Sequence, residues 1–221
     1  AVNFDTVKME CYLKVMSLPN STEVARPSYH HGDLRQALLK GALDLIADVG
    51  IDNLSLRRLA ERVGVSRTAP YHHFSDKNDL LCAIAAVDFK SRHEAAKELF
   101  ADTSKTQREK FEQHIYRYIR FAVDNPDRYE LMFGRSIWRQ SNSTQEVRDA
   151  AYPFFQETVD MIRSWQDCGL IAGTDALRTS QVIWGAQHGI AKLWIDGIYT
   201  DPEKIEELSL CAVEVFASAA D

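Results

Sequence analysis

Three polar or basic side chains, Ser66, Arg67 and Thr68, directly follow the pair Gly64-Val65 in the segment LSLRRLAERVGVSRTAPYHHF. An arginine can donate two hydrogen bonds to guanine, and a threonine can bond a base or touch a thymine methyl. Glycine readily adopts the left-handed conformation that a tight turn between two helices needs. The segment therefore predicts a helix-turn-helix whose second helix, capped by Ser66, enters the major groove of double-stranded DNA. An ordinary hairpin within a helical bundle is the alternative that this spacing alone leaves open.

The elements that must position this segment are helices. Apolar residues recur at helical spacing over 34–49 and 56–63, and a longer helix is expected from Asp76 toward Leu99. Beyond residue 100 the same spacing continues to residue 218, and Pro153 is expected to kink or break one of these later helices. Since no stretch alternates like a strand, the sequence predicts an all-α fold of about nine helices.

The chain divides into three parts. We expect a three-helix, helix-turn-helix DNA-binding domain over 26–77 and a larger C-terminal helical bundle for ligand binding and dimerisation over 78–221. Residues 1–25 form an N-terminal arm of unclear role, in which a weak helix over 7–16 or a natural start at Met9 or Met16 are open alternatives.

Composition excludes several classes of protein. The 221 residues are 45% hydrophobic and 26% charged, with only ten glycines and six prolines, which disfavours disorder and the frequent turns of an all-β fold. We expect no membrane association, because no apolar run is long enough to span a bilayer and the N-terminus lacks a secretory core. The net charge of −6 argues against nucleic acid for the whole chain, but the stretch 26–77 is slightly basic.

Metal, cofactor and catalytic chemistry are not indicated. Adjacent histidines at 30–31 and 72–73 point to different faces of a helix, so phosphate contact or plain surface is expected rather than metal binding. The cysteines lie far apart without metal-ligand spacing, which fits a reducing cytoplasm. Those with apolar neighbours, among Cys82, Cys168 and Cys211, are expected to be buried and inert. The four cysteines are Cys11, Cys82, Cys168 and Cys211. An all-α enzyme and a thiol-regulated helical interaction module are the competing classes, although no carboxylate pair or nucleophile–base spacing supports an enzyme.

From Tyr29 to Leu81 the sequence resembles the TetR family of transcriptional regulators, with that family's tyrosine, phenylalanine and lysine at Tyr71, Phe74 and Lys77. The resemblance implies a homodimer that binds a palindromic DNA operator through its three N-terminal helices. It also implies a C-terminal bundle whose small-molecule ligand releases the DNA, most often in a repressor.

A second, shorter resemblance lies near the C-terminus. The segment VIWGAQHGIAKLW is similar to the WHG type of regulatory domain, named for Trp184, His188 and Gly189 as they stand here. Trp184 and His188 are one helical turn apart and would lie on one face.

The TetR resemblance implies specific DNA contacts. They are Ser55, Arg67, Thr68, Ala69, Tyr71, His72 and Lys77, and Ser66 joins them from its place at the start of the second helix. Ser55 with its neighbouring amides suits a phosphate, and Lys77 can add a point charge there. Pro70 departs from the family's commonest pattern. Because proline removes one amide, the recognition helix is expected to be short and partly 3₁₀.

The acidic C-terminal part is rich in aromatic residues, which could line a ligand cavity or simply form the core. They are Trp138, Trp165, Trp184, Trp194, Phe133, Phe154, Phe155, Tyr129 and Tyr152. The functional hypothesis is an apolar or amphipathic effector contacted by Trp138, Trp165 and Trp184, with His188 as its polar anchor.

The last two expected helices, Asp175–Gly197 and Pro202–Ala219, carry apolar stripes broader than a small core needs. Their members are Ile183, Ile190, Leu193, Leu208, Ala212 and Val215. The sequence therefore predicts a two-fold dimer built from these helices, with Gly185 and Gly189 allowing close approach of a partner helix.

Overall fold

The computed structural model describes residues 31–138, 142–201 and 203–217, with side chains from residue 34 onward. The expectations for residues 1–30, including the arm, Cys11 and His30, lie outside the described residues. The helices are, in chain order, α1 His31–Val49, α2 Leu56–Val63, a 3₁₀ helix Ala69–His72, α3 Lys77–Ala101, α4 Gln107–Asp124, α5 Pro126–Phe133, α6 Arg135–Trp138, α7 Gln145–Asp167, α8 Ala176–Ile195 and α9 Lys204–Phe216. The predicted all-α class is confirmed, since the described residues contain no strand beyond one isolated bridge.

Short polar side chains set where the helices begin. Ser55 Oγ accepts from the Arg58 amide at the start of α2, and Asp76 Oδ1 accepts from the Asp79 amide at the start of α3. At α4, Thr106 and Glu109 satisfy each other's backbone N–H groups in a capping box. The caps expected at Ser55 and Asp76 are therefore present, because this chemistry is local in sequence.

A break expected within one helix and the expected start of the last helix both differ from the structure. Helix α7 continues through Pro153 without a break. The proline is exposed, and so is Asp149, whose carbonyl loses its amide partner and is free to face water. The last helix begins at Lys204 rather than at Pro202, which lies outside the described residues.

The helices enclose two hydrophobic cores. The first joins α1 and α2 to the first half of α3, and it also takes in residues of α5, α6 and the start of α7. The second lies among α4, α5, α7, α8 and α9. Because Leu80, Ile84 and Phe89 of α3 belong to the first core, α3 is packed as part of the N-terminal unit well beyond residue 77.

One ion pair is buried between α3 and α5. Asp88 of α3 is almost fully buried and accepts hydrogen bonds from the guanidinium of Arg128 on α5, at 3.1 Å for Nε. Burial raises the pKa of Asp88, while the Arg128 hydrogen bonds and charge act in the opposite direction. Breaking this pair would leave a buried charge, so it fixes α5 against α3.

In the described part of the chain, the helices are too short or too polar to cross a bilayer. Within the same residues, no three His, Cys, Asp or Glu side chains are grouped to hold a metal ion.

Candidate nucleic-acid interface and ligand cavity

Helix α2 and the 3₁₀ helix are joined by a turn at Gly64. Gly64 has φ +76°, a left-handed conformation, and its N–H closes α2 by donating to the Ala60 carbonyl. The next amide, of Val65, also donates to Ala60 O at 3.0 Å. The turn expected from the sequence is therefore present, and it redirects the chain into the segment 66–73.

The segment 66–73, hereafter the recognition segment, is not an α-helix. The amides of Ala69 and Tyr71 donate to the carbonyls three residues earlier, at 3.0 and 3.1 Å, whereas Pro70 between them has no N–H to donate. The expected 3₁₀ character is thus present over Ala69–His72. Ser66 does not cap it, contrary to expectation. Thr68 precedes the first helical residue, and the Ser66 hydroxyl pairs with the Thr68 hydroxyl at 3.2 Å instead.

The recognition segment presents most of its polar side chains to solvent. Pro70 is the buried residue of the 3₁₀ helix. Tyr71 is 56% exposed although it is large and aromatic, and the Arg67 side chain is 69% exposed, with its guanidinium 3.9 Å from Glu61. Ser66, Thr68 and His72 are also exposed, and Ala69 is half-buried. The segment forms a ridge of hydrogen-bonding groups over an apolar base.

Ser55 is the N-cap of α2, and Lys77 is the first residue of α3, four residues after the recognition segment. Lys77 Nζ donates to the Asp52 carbonyl at 3.0 Å, which ties the start of α3 to the turn before α2. An ammonium has two further N–H groups, so this bond leaves it able to contact an anion. Both side chains are half-buried.

Helix α2 carries basic residues that the sequence reasoning did not single out. Arg57 and Arg58 follow the Ser55 cap and are exposed, with Arg57 3.4 Å from Glu61 and Arg58 bonded to the Asn53 carbonyl. Their position in the first turn after a capping serine is the sequence feature that could have indicated a role at this interface. They add positive charge beside the recognition segment.

A cavity of about 470 Å³ lies in the C-terminal bundle between α3, α4, α5, α6, α7 and α8. Its walls are mostly aromatic, and they are formed by Phe89, His114, Tyr118, Met132, Phe133, Trp138, Ala151, Phe154, Phe155, Thr158, Trp184 and Gln187. We refer to it as the central cavity. Its size and apolar walls are typical of small-molecule sites.

Two of the four predicted ligand contacts line this cavity and two do not. Trp138 and Trp184 form part of the wall. Trp165 is fully buried in the second core, where its ring packs against Phe111 and His114. Its position is explained by core packing, so its assignment as a ligand contact is corrected.

His188 stands behind the cavity wall rather than in it. Its Nδ1 is 2.6 Å from the hydroxyl of Tyr129, and its ring stacks on the Tyr129 ring. Burial and the nearby Lys192 lower the pKa of His188, which favours the neutral ring, and Nδ1 of that ring can accept a hydrogen bond from the Tyr129 hydroxyl. Because His188 is not among the residues that line the cavity, the structure does not support it as the polar anchor that the sequence suggested.

The Tyr129–His188 bond ends a hydrogen-bonded chain that starts at the cavity wall. Trp184 Nε1 donates to Tyr118 Oη at 2.8 Å, and the Tyr118 and Tyr129 hydroxyls are 2.9 Å apart. Burial raises the pKa of Tyr118 to about 12 and raises that of Tyr129 as well, so both stay protonated at neutral pH. These hydrogen bonds therefore connect α4, α5 and α8 without any formal charge.

The polar lining residues His114 and Gln187, and the aromatic Phe89 of α3, were missed by sequence reasoning. Each lies on a helix whose spacing predicted burial in general, so nothing local marked it as facing a cavity. The thiol prediction is also wrong in part, because Cys168 and Cys211 are exposed and only Cys82 of the described cysteines is buried.

Helices α8 and α9 each carry apolar residues that the described chain leaves exposed. Val182, Leu210 and Val215 are exposed, and a methyl group added at Gly185 or Gly189 would meet nothing within 4 Å. Ile183 was expected at the dimer contact, but it is buried in the second core, since its side of α8 faces the protomer interior.

Two family models match the chain. The model for bacterial regulatory proteins of the tetR family matches residues 38–84, and a tetracyclin repressor-like C-terminal domain matches residues 111–216. Together they cover most of the described helices. The fold and the helix-turn-helix define a DNA-binding transcription regulator, a class distinct from enzymes. The chain belongs to the TetR family.

Individual relatives agree with this assignment. The chain is 46% identical over 59 residues to the tetracycline repressor protein class C of Escherichia coli, which is 27% of each protein. It is 29% identical over 126 residues to the transcriptional repressor AcnR of Corynebacterium glutamicum, or 57% of this chain and 60% of that protein. The matches thus span about a quarter to three fifths of the length of these curated relatives.

Solved structures extend the likeness to the whole fold. A protein of unknown function from Rhodococcus sp. RHA1 is 31% identical, covers 87% of this chain and 100% of its own, and superimposes with a TM-score of 0.74. A TetR family transcription regulator from Marinobacter aquaeolei VT8 is 19% identical with a TM-score of 0.62, over 83% and 95% of the two chains. The second match supports the fold alone.

Proposed function

We propose that the protein is a transcriptional repressor that binds a palindromic DNA operator as a homodimer and is released by a small molecule in the central cavity. The observation that carries the proposal is the exposed recognition segment, which follows the left-handed turn at Gly64 within the part matched by the tetR family model. Such a protein would work in the cytoplasm, where the operator lies.

The DNA contacts divide by chemistry. Arg67, Thr68 and Ala69 are at the start of the recognition segment, where base edges would be contacted in the major groove. Ser66, Tyr71 and His72 offer donors for phosphate oxygens, and so do Ser55 with the first amides of α2. Lys77 supplies a charge that contacts only the backbone. We therefore assign DNA binding to residues within 26–77.

Dimerisation is supported by the exposed apolar residues of α8 and α9. Exposed valines on α8 and α9 and the open glycines of α8 suit close packing against the same residues of a second copy. A two-fold dimer carries two recognition segments, so the operator has two half-sites about one helical turn apart or a simple multiple of that distance.

Release by ligand is supported by the position of α3. Lys77 at its start follows the recognition segment by four residues, and Phe89, about 18 Å further along the helix, forms part of the cavity wall. A ligand that fits the cavity better in one arrangement of α3 would change the separation of the two recognition segments. The affinity for DNA falls by the ratio of ligand affinities for the two arrangements.

An unbiased selection of DNA sequences bound by the purified protein tests the proposal. The expected result is a palindromic motif, with selected sequences bound far more tightly than random DNA. If no motif is enriched, the DNA-binding function is wrong. A gel shift on the selected DNA with and without reductant then separates a ligand-controlled regulator from a thiol-regulated module, which alone would depend on the reductant.

A further inference from the structure

Two residues that line the central cavity each have a side-chain nitrogen without a hydrogen-bond partner in the described structure. These nitrogens are Nε2 of His114 on α4 and Nε2 of Gln187 on α8, and both atoms are inaccessible to bulk solvent. Gln187 as a whole is only 2% exposed. A buried amide with no partner costs free energy, so its position calls for a partner that the chain itself does not supply.

The other polar atoms of the wall are already engaged. Thr158 Oγ1 donates to the Phe154 carbonyl at 3.1 Å, and Trp138 Nε1 donates to the Met132 carbonyl at 2.6 Å. Tyr118 and Trp184 bond each other, and Tyr118 also bonds Tyr129. His114 and Gln187 are therefore the wall positions left to bind a polar group of a ligand.

The wall also lacks formal charge. None of the described lining residues is an Asp, Glu, Lys or Arg. Burial and the nearby Arg92 lower the pKa of His114 to about 4, so its ring is neutral at physiological pH. A carboxylate or ammonium placed here would lose its hydration without an ion-pair partner among the lining residues. The nearby Arg92 does not line the cavity, since it donates to the Arg117 carbonyl and packs on the Phe121 ring.

Building on the proposed function, we infer that the effector is an uncharged, largely aromatic molecule whose hydrogen-bonding groups pair with Gln187 and His114. The Gln187 amide donates to an acceptor such as a carbonyl oxygen. The neutral imidazole of His114 donates or accepts according to its tautomer. The aromatic rings of the wall stack on flat ring systems, which favours such ligands over flexible chains.

Three probes of matched shape test this inference by calorimetric titration of the full-length protein without DNA. They are 2-naphthamide, which is neutral and has an acceptor, 2-naphthoate, which is charged, and 2-isopropylnaphthalene, which has no polar group. We expect the amide to bind about two- to tenfold more tightly than the hydrocarbon. We expect the amide to bind at least about a hundredfold more tightly than the carboxylate. Equal or tighter binding of naphthoate, or binding of none of the three, overturns the inference.

Variants locate the interaction. Gln187→Met and His114→Leu remove one polar group each, and either is expected to reduce the preference for the amide over the hydrocarbon. Thr158→Val is the matched control, because Thr158 also lines the cavity but its hydroxyl is already bonded. A preference that survives both polar substitutions, or is lost equally in Thr158→Val, contradicts the assignment.

The three-probe comparison uses the protein without substitutions, so its result does not depend on the stability of the variants. Because it uses no DNA, its failure is distinguishable from failure of the DNA-selection experiment.

Discussion

Arg35 of α1 and Glu146 in the first turn of α7 form an ion pair across 111 positions of sequence. Arg35 Nη2 donates to both carboxylate oxygens, at 3.0 and 2.8 Å, and the guanidinium lies 5.4 Å from the centre of the Phe74 ring. Phe74 directly follows the 3₁₀ helix and its flanking His73. The pair therefore joins the bundle that contains the cavity to the base of the recognition segment.

A neighbouring contact strengthens this junction. Asn78 Nδ2 and Cys82 Sγ of α3 both donate to the carbonyl of Asn142, at 2.8 and 3.6 Å. Asn142 lies a few residues beyond Trp138, which forms part of the cavity wall. These two bonds tie the residues that lead into α7 to α3.

We predict that Glu146→Gln weakens binding to the selected palindrome while changing non-specific DNA binding little. The partly exposed pair contributes only about 0.2–1 kcal/mol to stability, so the fold is expected to survive. Its loss loosens the orientation of the DNA-binding helices, which matters only where two half-sites must be matched. Fluorescence anisotropy on both DNAs measures this. In a double-mutant cycle, the variant that carries both Arg35→Gln and Glu146→Gln should lose no more affinity for the palindrome than either single variant. Fully additive effects would show that the two residues act separately.

Arg67→Ala is predicted to cost about 1–3 kcal/mol on the operator and to relax preference at one base pair per half-site. The guanidinium is exposed at the start of the recognition segment, where bidentate bonding to guanine is possible. Binding to all single-base operator variants measures the effect. A uniform loss over all variants would place Arg67 on a phosphate and move base recognition to Thr68 and Ala69.

Lys77→Ala is predicted to reduce DNA binding in a different way from Arg67→Ala. Because its ammonium can reach only the backbone, specific and non-specific binding should weaken alike. The slope of log affinity against log salt should become shallower by about one unit for each lysine removed from contact. Since Lys77 also bonds the Asp52 carbonyl, thermal stability serves as the control. A selective loss at particular base pairs would contradict the assignment.

Val182→Asp and Val215→Asp are each predicted to shift the dimer toward monomer. Val182 on α8 and Val215 on α9 are 62% and 73% exposed, and a carboxylate at either position would be buried against a second copy. Sedimentation at micromolar concentration is the measurement. Val87→Asp on α3 is the matched control, since that valine is 41% exposed on a different helix. A wild-type monomer at this concentration would refute the proposed dimer.

Trp184→Ala is predicted to weaken the response to a ligand while leaving DNA binding without ligand nearly intact. Trp184 lines the cavity and is 38% exposed, so the fold should tolerate its loss better than that of a core tryptophan. The fluorescence change on adding 2-naphthamide, and the DNA affinity with and without it, measure the two properties. If the variant does not fold, the main role of Trp184 is structural, through its hydrogen bond to Tyr118.

His114 is predicted to make stability depend on pH. Burial lowers the pKa of His114 to about 4 in the folded protein, below the ordinary value of 6.5 that applies to the unfolded chain. Between these values the unfolded chain binds more protons, so the free energy of unfolding rises with pH from about 4 to 6.5. Relative to His114→Leu, the wild type should lose on the order of 3 kcal/mol as the pH falls through this window. Parallel curves for the two proteins, from urea unfolding at several pH values, would show that His114 is not buried in its neutral form.

The local features of the fold could be predicted from the sequence. A serine or aspartate before an apolar repeat starts a helix, as at Ser55 and Asp76, because the cap bonds lie within three residues. The turn at Gly64 and the 3₁₀ geometry around Pro70 follow from the backbone freedom of glycine and the missing amide of proline. The DNA-binding unit could be located for this reason, since its chemistry is carried by consecutive residues.

The central cavity was decided by the tertiary structure. Its walls come from six helices, and periodicity shows which face of a helix is apolar but not which neighbour that face meets. That is why Trp165 lies in the core, and why His188 bonds Tyr129 behind the wall while His114 and Gln187 stand in it. Exposure of Cys168 and Cys211 and burial of Ile183 follow the same rule. The contacts that settle such positions join residues far apart in sequence, so they exist only once the helices have packed.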